Sequence, residues 1–537
     1  MSAAKLIKSI LSYLAIIVAI LIAGLFWLTA NDRAIDYQVN TNNIDIPTFV
    51  EQTIDFVPTY DKTKTIPFTA SAVIDIDGDG LEELFFGGGI NQADAFYKFE
   101  NGKFSDITAQ TGWVKQTPDK TFGSIALDLD TDGDVDMLVA RQSGVWLYNN
   151  ENGKFTGQYL DLEFDEKSVP LSVAVSDLNR DGLFDMYVAG YIARKHVEGE
   201  TIFNIVYGGV SALFINKGNN QFENITRESG LYYQHNTFQG IFIDVDGDSL
   251  EDLVVAHDTG TVKTWKNMGN LKFKDMPNPT SNYFSYPMGI AVSDYNNDGS
   301  PDFYFSNVGS TTPDAIVRGD LREEQVLSKK WIMFENKGGF RFEDVADKVK
   351  LADYEFSWGA LFEDFNLDGR DDLVVSENYV GFPTHIISAW RLDGRFMIQN
   401  ESGEFAAVGK QAGIKNRNFG ISPLTADFNQ DGYPDLVHVN LQGPQRVFIS
   451  AGGNANYLKV QLPNTVGSVG AKVQVVLEDG TTLHQTFVVG EGLCSDQSHN
   501  LIFGLGAQSA SSVSVTYLDG QAANRDGRYL NQQLTFK

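Results

Sequence analysis

The chain has 537 residues, 70 acidic against 41 basic side chains for a formal charge of −29, and 42% hydrophobic residues. It is too apolar to be disordered and too long for one ordinary core, and so large an acidic surplus repels phosphate backbones, which excludes nucleic acid as a partner. Gly 51 against Pro 15, with 37 Phe and 21 Tyr, predicts short strands joined by tight turns; the lone Cys494 excludes an internal disulfide and a thiolate metal site.

In chain order, residues 1–8 form a short N-terminus. Residues 9–30 run 22 residues without a charge, which as a helix reaches about 33 Å against a hydrocarbon core of about 30 Å. This segment is expected to be a transmembrane signal anchor. The alternative is a cleaved signal peptide, but the apolar run is longer than the usual one and Leu28-Thr29-Ala30 matches an A-x-A-like site poorly. Lys5 and Lys8 precede the span, so the positive-inside rule keeps residues 1–8 cytoplasmic and puts the bulk of the chain beyond the membrane, in the periplasm or on the cell surface. Residues 31–45 read as a polar tether.

An acidic nonapeptide then recurs seven times: DIDGDGLEE at Asp75, DLDTDGDVD at Asp128, DLNRDGLFD at Asp177, DVDGDSLED at Asp244, DYNNDGSPD at Asp294, DFNLDGRDD at Asp364 and DFNQDGYPD at Asp427. The starts lie 53, 49, 67, 50, 70 and 63 residues apart, and an apolar run such as LFFGG, MLVA or LVVA follows each copy. That spacing suits a four-stranded propeller blade and exceeds a solenoid coil. Residues 46–453 are therefore expected to form an all-β, seven-bladed β-propeller.

Alternate side chains in a tight loop converge on one point, and hard oxygen donors suit Ca²⁺. The candidate ligands are Asp75, Asp77, Asp79, Leu81 and Glu83 in loop one; Asp128, Asp130, Asp132, Asp134 and Asp136 in loop two; Asp177, Asn179, Asp181, Leu183 and Asp185 in loop three; and Asp244, Asp246, Asp248, Leu250 and Asp252 in loop four. Loops five to seven supply Asp294, Asn296, Asp298, Ser300 and Asp302; Asp364, Asn366, Asp368, Arg370 and Asp372; and Asp427, Asn429, Asp431, Tyr433 and Asp435. The seventh residue would contribute its backbone carbonyl. Position six is Gly, as a positive φ requires, except at Ser249. An EF-hand is rejected because position twelve is never Glu and the flanks read as strands. Asp and Asn are also common in plain turns, but turn formation does not call for an acid at position nine, and clustered carboxylates repel without a cation. Up to seven Ca²⁺ are expected, with Mg²⁺ the weaker candidate.

These loops, with FGSIALD at Phe122 and FSWGALFED at Phe356, resemble the FG-GAP or VCBS repeats of integrin-α-type β-propellers, and the resemblance implies one calcium loop per blade. A hairpin turn of Asn-Gly type or a longer relative, ending in an aromatic, punctuates six units: FENGKF at Phe99, NNENGKF at Asn149, FINKGNNQF at Phe214, WKNMGNLKF at Trp265, FENKGGFRF at Phe334 and IQNESGEF at Ile398. Residues 454–537 carry alternating strands near 457–462, 471–477, 482–489 and 513–517. With GAKV at Gly470, GEGLCSDQ at Gly490 and IFGLG at Ile502, this segment resembles the ASPIC/UnbV domain of the cartilage acidic protein family. Cys494 reads as a buried small hydrophobe rather than a reactive thiol.

Units three, five and six carry insertions after the same strand, which repeat geometry puts on one face. That face is expected to bind a protein or glycan partner through residues such as Tyr191, Phe203, Tyr207, Tyr379, Phe382, His385 and Trp390. Arg318-Gly319-Asp320 reads as a chance tripeptide. No G-x-S-x-G, H-E-x-x-H or Walker motif occurs, and the seven His show no ligand spacing. The chain is thus expected to be a binding or adhesion module and not an enzyme; the alternative is an extracytoplasmic enzyme or biosynthetic accessory, which perturbed carboxylates in the central channel would favour.

Overall fold

A computed structural model describes residues 3–30, 37–61, 63–196, 208–312, 317, 321, 324–378 and 392–537. Each apolar run that follows an acidic loop is a strand buried along its length, as in Glu83–Phe86 and Asp185–Ile192. A strand covered on both faces reads as continuous hydrophobics rather than as alternation. Outer strands, such as Phe342–Asp344, are short and partly exposed.

Among the described residues seven blades of four antiparallel strands result, and the sheet of blade one gains a fifth, parallel strand, Ser495–Asp496. Blade one is Ser71–Ile74, Glu83–Phe86, Ala95–Glu100 and Lys103–Asp106. The innermost strands of blades two to seven are Thr121–Leu127, Ser168–Ser176, Thr237–Ile243, Ile290–Ser293, Ser357–Glu363 and Phe419–Ala426. Each packs on the next, and the last packs on Ser71–Ile74, so the ring closes as a seven-bladed propeller. The fourth strand of blade seven is Phe49–Ile54, paired from Phe49↔Ser450 to Ile54↔Gln445. This closure explains why seven loops are accompanied by only six such hairpins. In the first hairpin Asn101 and Gly102 adopt φ 53° and 78°, as a two-residue turn between right-twisted strands requires.

The C-terminal segment folds as two small sheets, Asn500–Gly506/Asn456–Gln461/Gln532–Thr535 and Thr482–Thr486/Lys472–Leu477/Ala510–Thr516/Ala522–Tyr529. The IFGLG motif lies on a strand that the sequence reading did not separate out. This domain sits on the propeller face that carries the acidic loops. The Asp128 N–H donates to the Asn464 carbonyl at 2.7 Å, Arg180 donates to the Leu518 carbonyl at 3.1 Å, and the Gly506 N–H donates to the Leu367 carbonyl at 2.8 Å.

From this domain GEGLCSDQ enters the central channel. Gly492 and Ile290 exchange backbone hydrogen bonds at 3.0 and 3.1 Å, Ser495–Asp496 pairs in parallel with Ser71 and Ala72, and Asp496 accepts the Ala126 N–H at 2.8 Å. Gln239 donates to the Gly490 carbonyl, Gln497 accepts the Thr425 N–H at 3.1 Å, and the Leu493 N–H donates to Ser422 Oγ at 3.1 Å. The open innermost edges of the blades thus find partners in one loop, as buried backbone groups must.

Two expectations change. The segment expected to be a free tether is docked from Tyr37 onward: Tyr37 donates to Asp353 at 2.8 Å, Val39 and Ile44 pack on the core of blade six, and Asn366 donates to the Asp45 carbonyl at 3.2 Å. Residues 31–36 lie outside the described residues. The N-terminal segment is an α-helix, Ala3–Ala30, but among the described residues no helix is long and apolar enough to cross a membrane, so the expected transmembrane span is not supported.

Candidate metal centres

All seven nonapeptides join the first strand of a blade to its second, at one end of the disc. Their backbone is built alike. The position-one carboxylate accepts the position-six N–H through Oδ2, from Gly80 to Asp75 at 2.9 Å through Gly432 to Asp427 at 2.9 Å. The position-five Oδ1 accepts the position-seven N–H at 2.8–3.1 Å: Leu81, Asp134, Leu183, Leu250, Ser300, Arg370 and Tyr433 donate in turn. Position six takes φ between 67° and 101°, and Ser249 adopts this left-handed conformation at 67°, so loop four keeps the common shape. Position three is Asp77, Asp130 or Asp246 where it is acidic; where it is Asn179, Asn366 or Asn429, its amide lies 3.0 Å from the position-five carboxylate.

Position nine carries a task that spacing did not reveal. Asp185 accepts the Leu178 N–H at 3.1 Å and the Asn216 N–H of the third strand at 2.9 Å; Asp136, Asp252, Asp372 and Asp435 repeat both bonds in their own blades. These acids therefore pin each loop to its blade. Desolvation, reinforced by neighbouring carboxylates, raises them far above the ordinary Asp value: Asp136 and Asp185 to about 7, Asp252 and Asp435 to about 8, Asp302 to about 9.

The carboxylates of Asp75, Asp77 and Asp79, of Asp128, Asp130 and Asp136, and of Asp244, Asp246 and Asp248 each converge within 4.8 Å. Asp128 Oδ1 is buried without a hydrogen-bond partner, as are Asp75 Oδ1 and Asp246 Oδ1. In loop two such buried, unpaired anionic oxygens leave lone pairs without a nearby cation, so this donor set fits a hard divalent cation, whereas in loops one and four a lysine ammonium stands beside the same acids. In loops three, five, six and seven the described carboxylates do not converge this tightly.

Two further groups of residues, missed from sequence, surround the loops. Lys98 lies 2.8 Å from Asp79, 2.7 Å from Glu83 and 3.3 Å from Asp77, and Lys266 contacts Asp246 and, at 2.8 Å, Asp248. From the C-terminal domain, Lys459 reaches Asp427 Oδ2 at 2.8 Å, Lys472 reaches Asp244 Oδ2 at 3.3 Å and His484 lies 3.3 Å from Asp294 Oδ2. The last three touch the oxygen already turned toward the position-six N–H.

Residues 75–139, 128–188 and 244–305, which hold loops one to five, match an FG-GAP-like repeat, and residues 463–537 match ASPIC and UnbV. The chain carries FG-GAP repeats and a C-terminal ASPIC/UnbV domain. It is 23% identical to cartilage acidic protein 1 of Mus musculus over 474 residues, covering 84% of this chain and 61% of the relative. Against the Xenopus tropicalis protein it is 23% identical over 510 residues, covering 89% and 75%. The chain thus spans about three fifths of the mouse relative. Among solved structures, the BP39L lectin from Burkholderia pseudomallei aligns with a TM-score of 0.45 at 10% identity, over 72% of this chain and 97% of the lectin. The V. cholerae biofilm matrix protein Bap1 aligns with a TM-score of 0.31 at 11% identity, over 90% and 76%.

At the channel mouth, between the FG-GAP loops and the ASPIC/UnbV domain, Glu363, Asp371, Glu491, Gln497 and His499 line a cavity of about 120 Å³. Burial raises Glu491 to about 8 and Asp371 to about 6, and raises Glu363 well above the carboxylate range. Asp371 accepts from Ser293 at 2.6 Å and Glu491 from the Val292 N–H at 2.9 Å. Cys494 is buried 3.7 Å from the Leu171 carbonyl, and burial pushes its thiol far up, as expected of an inert cysteine. Of the insert residues, Tyr191 is a buried blade residue and not a surface group. Phe203, Tyr207, Tyr379, Phe382, His385, Trp390 and Arg318-Gly319-Asp320 lie outside the described residues.

Proposed function

We propose that the protein is an extracytoplasmic, calcium-binding propeller that acts as a binding or adhesion module, with the face opposite its FG-GAP loops as the recognition surface. The observation that carries this reading is the placement of the ASPIC/UnbV domain: it covers the loop face and fills the channel with Gly490–Gln497. The second-to-third strand connections, where units three, five and six carry their insertions, begin at the opposite end of the blades. They are the place for a protein or glycan partner. Calcium in the loops, when bound, supplies the positive charge that holds the carboxylates together. An extracytoplasmic placement suits loops of this class, whose extracellular versions bind at about 10⁻⁴–10⁻³ M.

Membrane attachment through the N-terminal helix belongs to the same reading and is supported by its apolar surface. Ile10, Leu14, Ile17 and Leu21 are each more than half exposed. Shortening the second-to-third strand connections of units three and six, followed by capture of partners from the native cell surface with and without calcium, checks the recognition surface. Loss of calcium-dependent capture with an unchanged melting temperature is expected; undiminished capture would refute it.

A second reading, an enzyme or biosynthetic accessory, is favoured by the raised carboxyls of Glu363, Asp371 and Glu491 around one cavity, since a poised acid and base can arise from such shifts. Turnover of extracellular glycans by the parent chain and its loss in Glu491→Gln would favour that reading over the first.

A further inference from the structure

We infer that Lys98 and Lys266 are built-in cations that occupy FG-GAP loops one and four in place of calcium, so that the protein loads at most five calcium ions. This inference rests on the calcium reading of the other loops.

The two lysines hold the same station in their blades. Lys98 stands opposite Glu83 in the strand register, and Lys266 stands opposite Asp252, one residue beyond the Leu253↔Trp265 pair. Each is therefore the third-strand residue that faces the position-nine acid. In the other five blades this station holds Asn149, Ile215, Glu335, Ile398 and Ile449. None of these can supply a positive charge.

From that station the ammonium enters the ligand set itself. Lys98 contacts the acids of positions three, five and nine in loop one, and Lys266 those of positions three and five in loop four. Lys459, Lys472 and His484 differ, since each meets only the outward oxygen of a position-one acid. Loops one and four are two of the three whose carboxylates converge within 4.8 Å, and both enclose an ammonium. The third, loop two, has only the Asn149 amide, 3.2 Å from Asp130, and remains a calcium site. Lys98 reaches three carboxylates but not Asp75, whose Oδ1 stays unpaired.

Tethering biases the competition. A cation on a short arm acts at an effective concentration of about millimolar or more, and calcium, which extracellular loops hold with dissociation constants of only about 10⁻⁴–10⁻³ M, must break its ion pairs to enter. Lys98 is also 8% exposed, so release to solvent would cost its three partners and the burial of its stem.

Native mass spectrometry of the full chain at saturating calcium counts the ions directly. At most five are expected for the parent and two more for Lys98→Met/Lys266→Met, together with a larger calcium-induced rise in melting temperature. Lys98→Gln/Lys266→Gln serves if the methionine pair does not fold, and the parent count needs no substitution. Six or seven ions on the parent, or an equal nonzero count on parent and variants, would overturn the lysine assignment and leave the calcium loops standing. No ion on any of them would overturn the calcium reading and this inference with it.

Discussion

At the scale of single residues, the loops show which acids do double work. Positions one and five close the turn, and position nine fastens it to the third strand. Asp185→Ala would strand the Leu178 and Asn216 N–H groups in the interior, and each buried unpaired group costs roughly 1–3 kcal/mol, so a loss of about 2–6 kcal/mol in urea unfolding is expected. Ser249 holds φ 67°, a conformation that costs a non-glycine residue roughly 1–2 kcal/mol. Glycine gives part of this back through unfolded-chain entropy, so Ser249→Gly should raise stability by about 0.5–1 kcal/mol; an unchanged urea midpoint would contradict it.

Glu491 gives a pH prediction. Burial raises its carboxyl to about 8 in the folded chain, above the unfolded value of about 4.3. Its contribution thus favours the fold below about pH 4.3 and is lost as pH rises through about 8. Glu491→Gln keeps an acceptor for the Val292 N–H and should melt with the parent near pH 4, then above it by a margin that widens to pH 8–9. A pH-independent difference would argue against the burial. The acids at positions one to nine were legible in sequence because they repeat. The lysines were not, because they occur in two blades of seven and reach the loop from a strand about 15 residues further on.

At the scale of elements, the second strands are plain as continuous apolar runs, and six hairpins are plain from their Asn-Gly turns or longer relatives ending in an aromatic. The donor of the seventh outer strand was hidden, since Phe49–Ile54 lies some 390 residues before its partner Gln445–Ser450. The missing seventh hairpin was the available signal. Removing residues 37–54 uncovers the edge of Gln445–Ser450, and exposed edges recruit other strands. The truncated chain should lose its single cooperative transition and associate on size exclusion; a monomer with the parent's melting curve would contradict the ring closure. The docked stretch after Tyr37 reads as a tether in the sequence because it packs through isolated side chains, Val39 and Ile44, with no periodicity to announce it.

At the scale of the molecule, the −29 charge is not spread over the surface. Seven acids at position one, three at position three, seven at position five and seven at position nine account for 24 of the 70, leaving 46 acids against 41 bases. Composition could show that surplus, and repetition could assign it to loops, but neither could show that a second domain lies over them. That covering arises from contacts between residues hundreds of positions apart, such as Lys459 with Asp427 and Lys472 with Asp244 on one side of the disc, and Gly492 with Ile290 in the channel. The acidic loops, the ASPIC/UnbV domain and the channel loop therefore form one coupled unit. Hydrogen exchange of the full chain, in about 1 mM calcium and after chelation, reads that coupling directly. Chelation is expected to lower protection together in loop two and in the amides of Gly490–Gln497, while loop one, held by Lys98, changes least. Unchanged exchange in loop two and the channel segment would contradict the account.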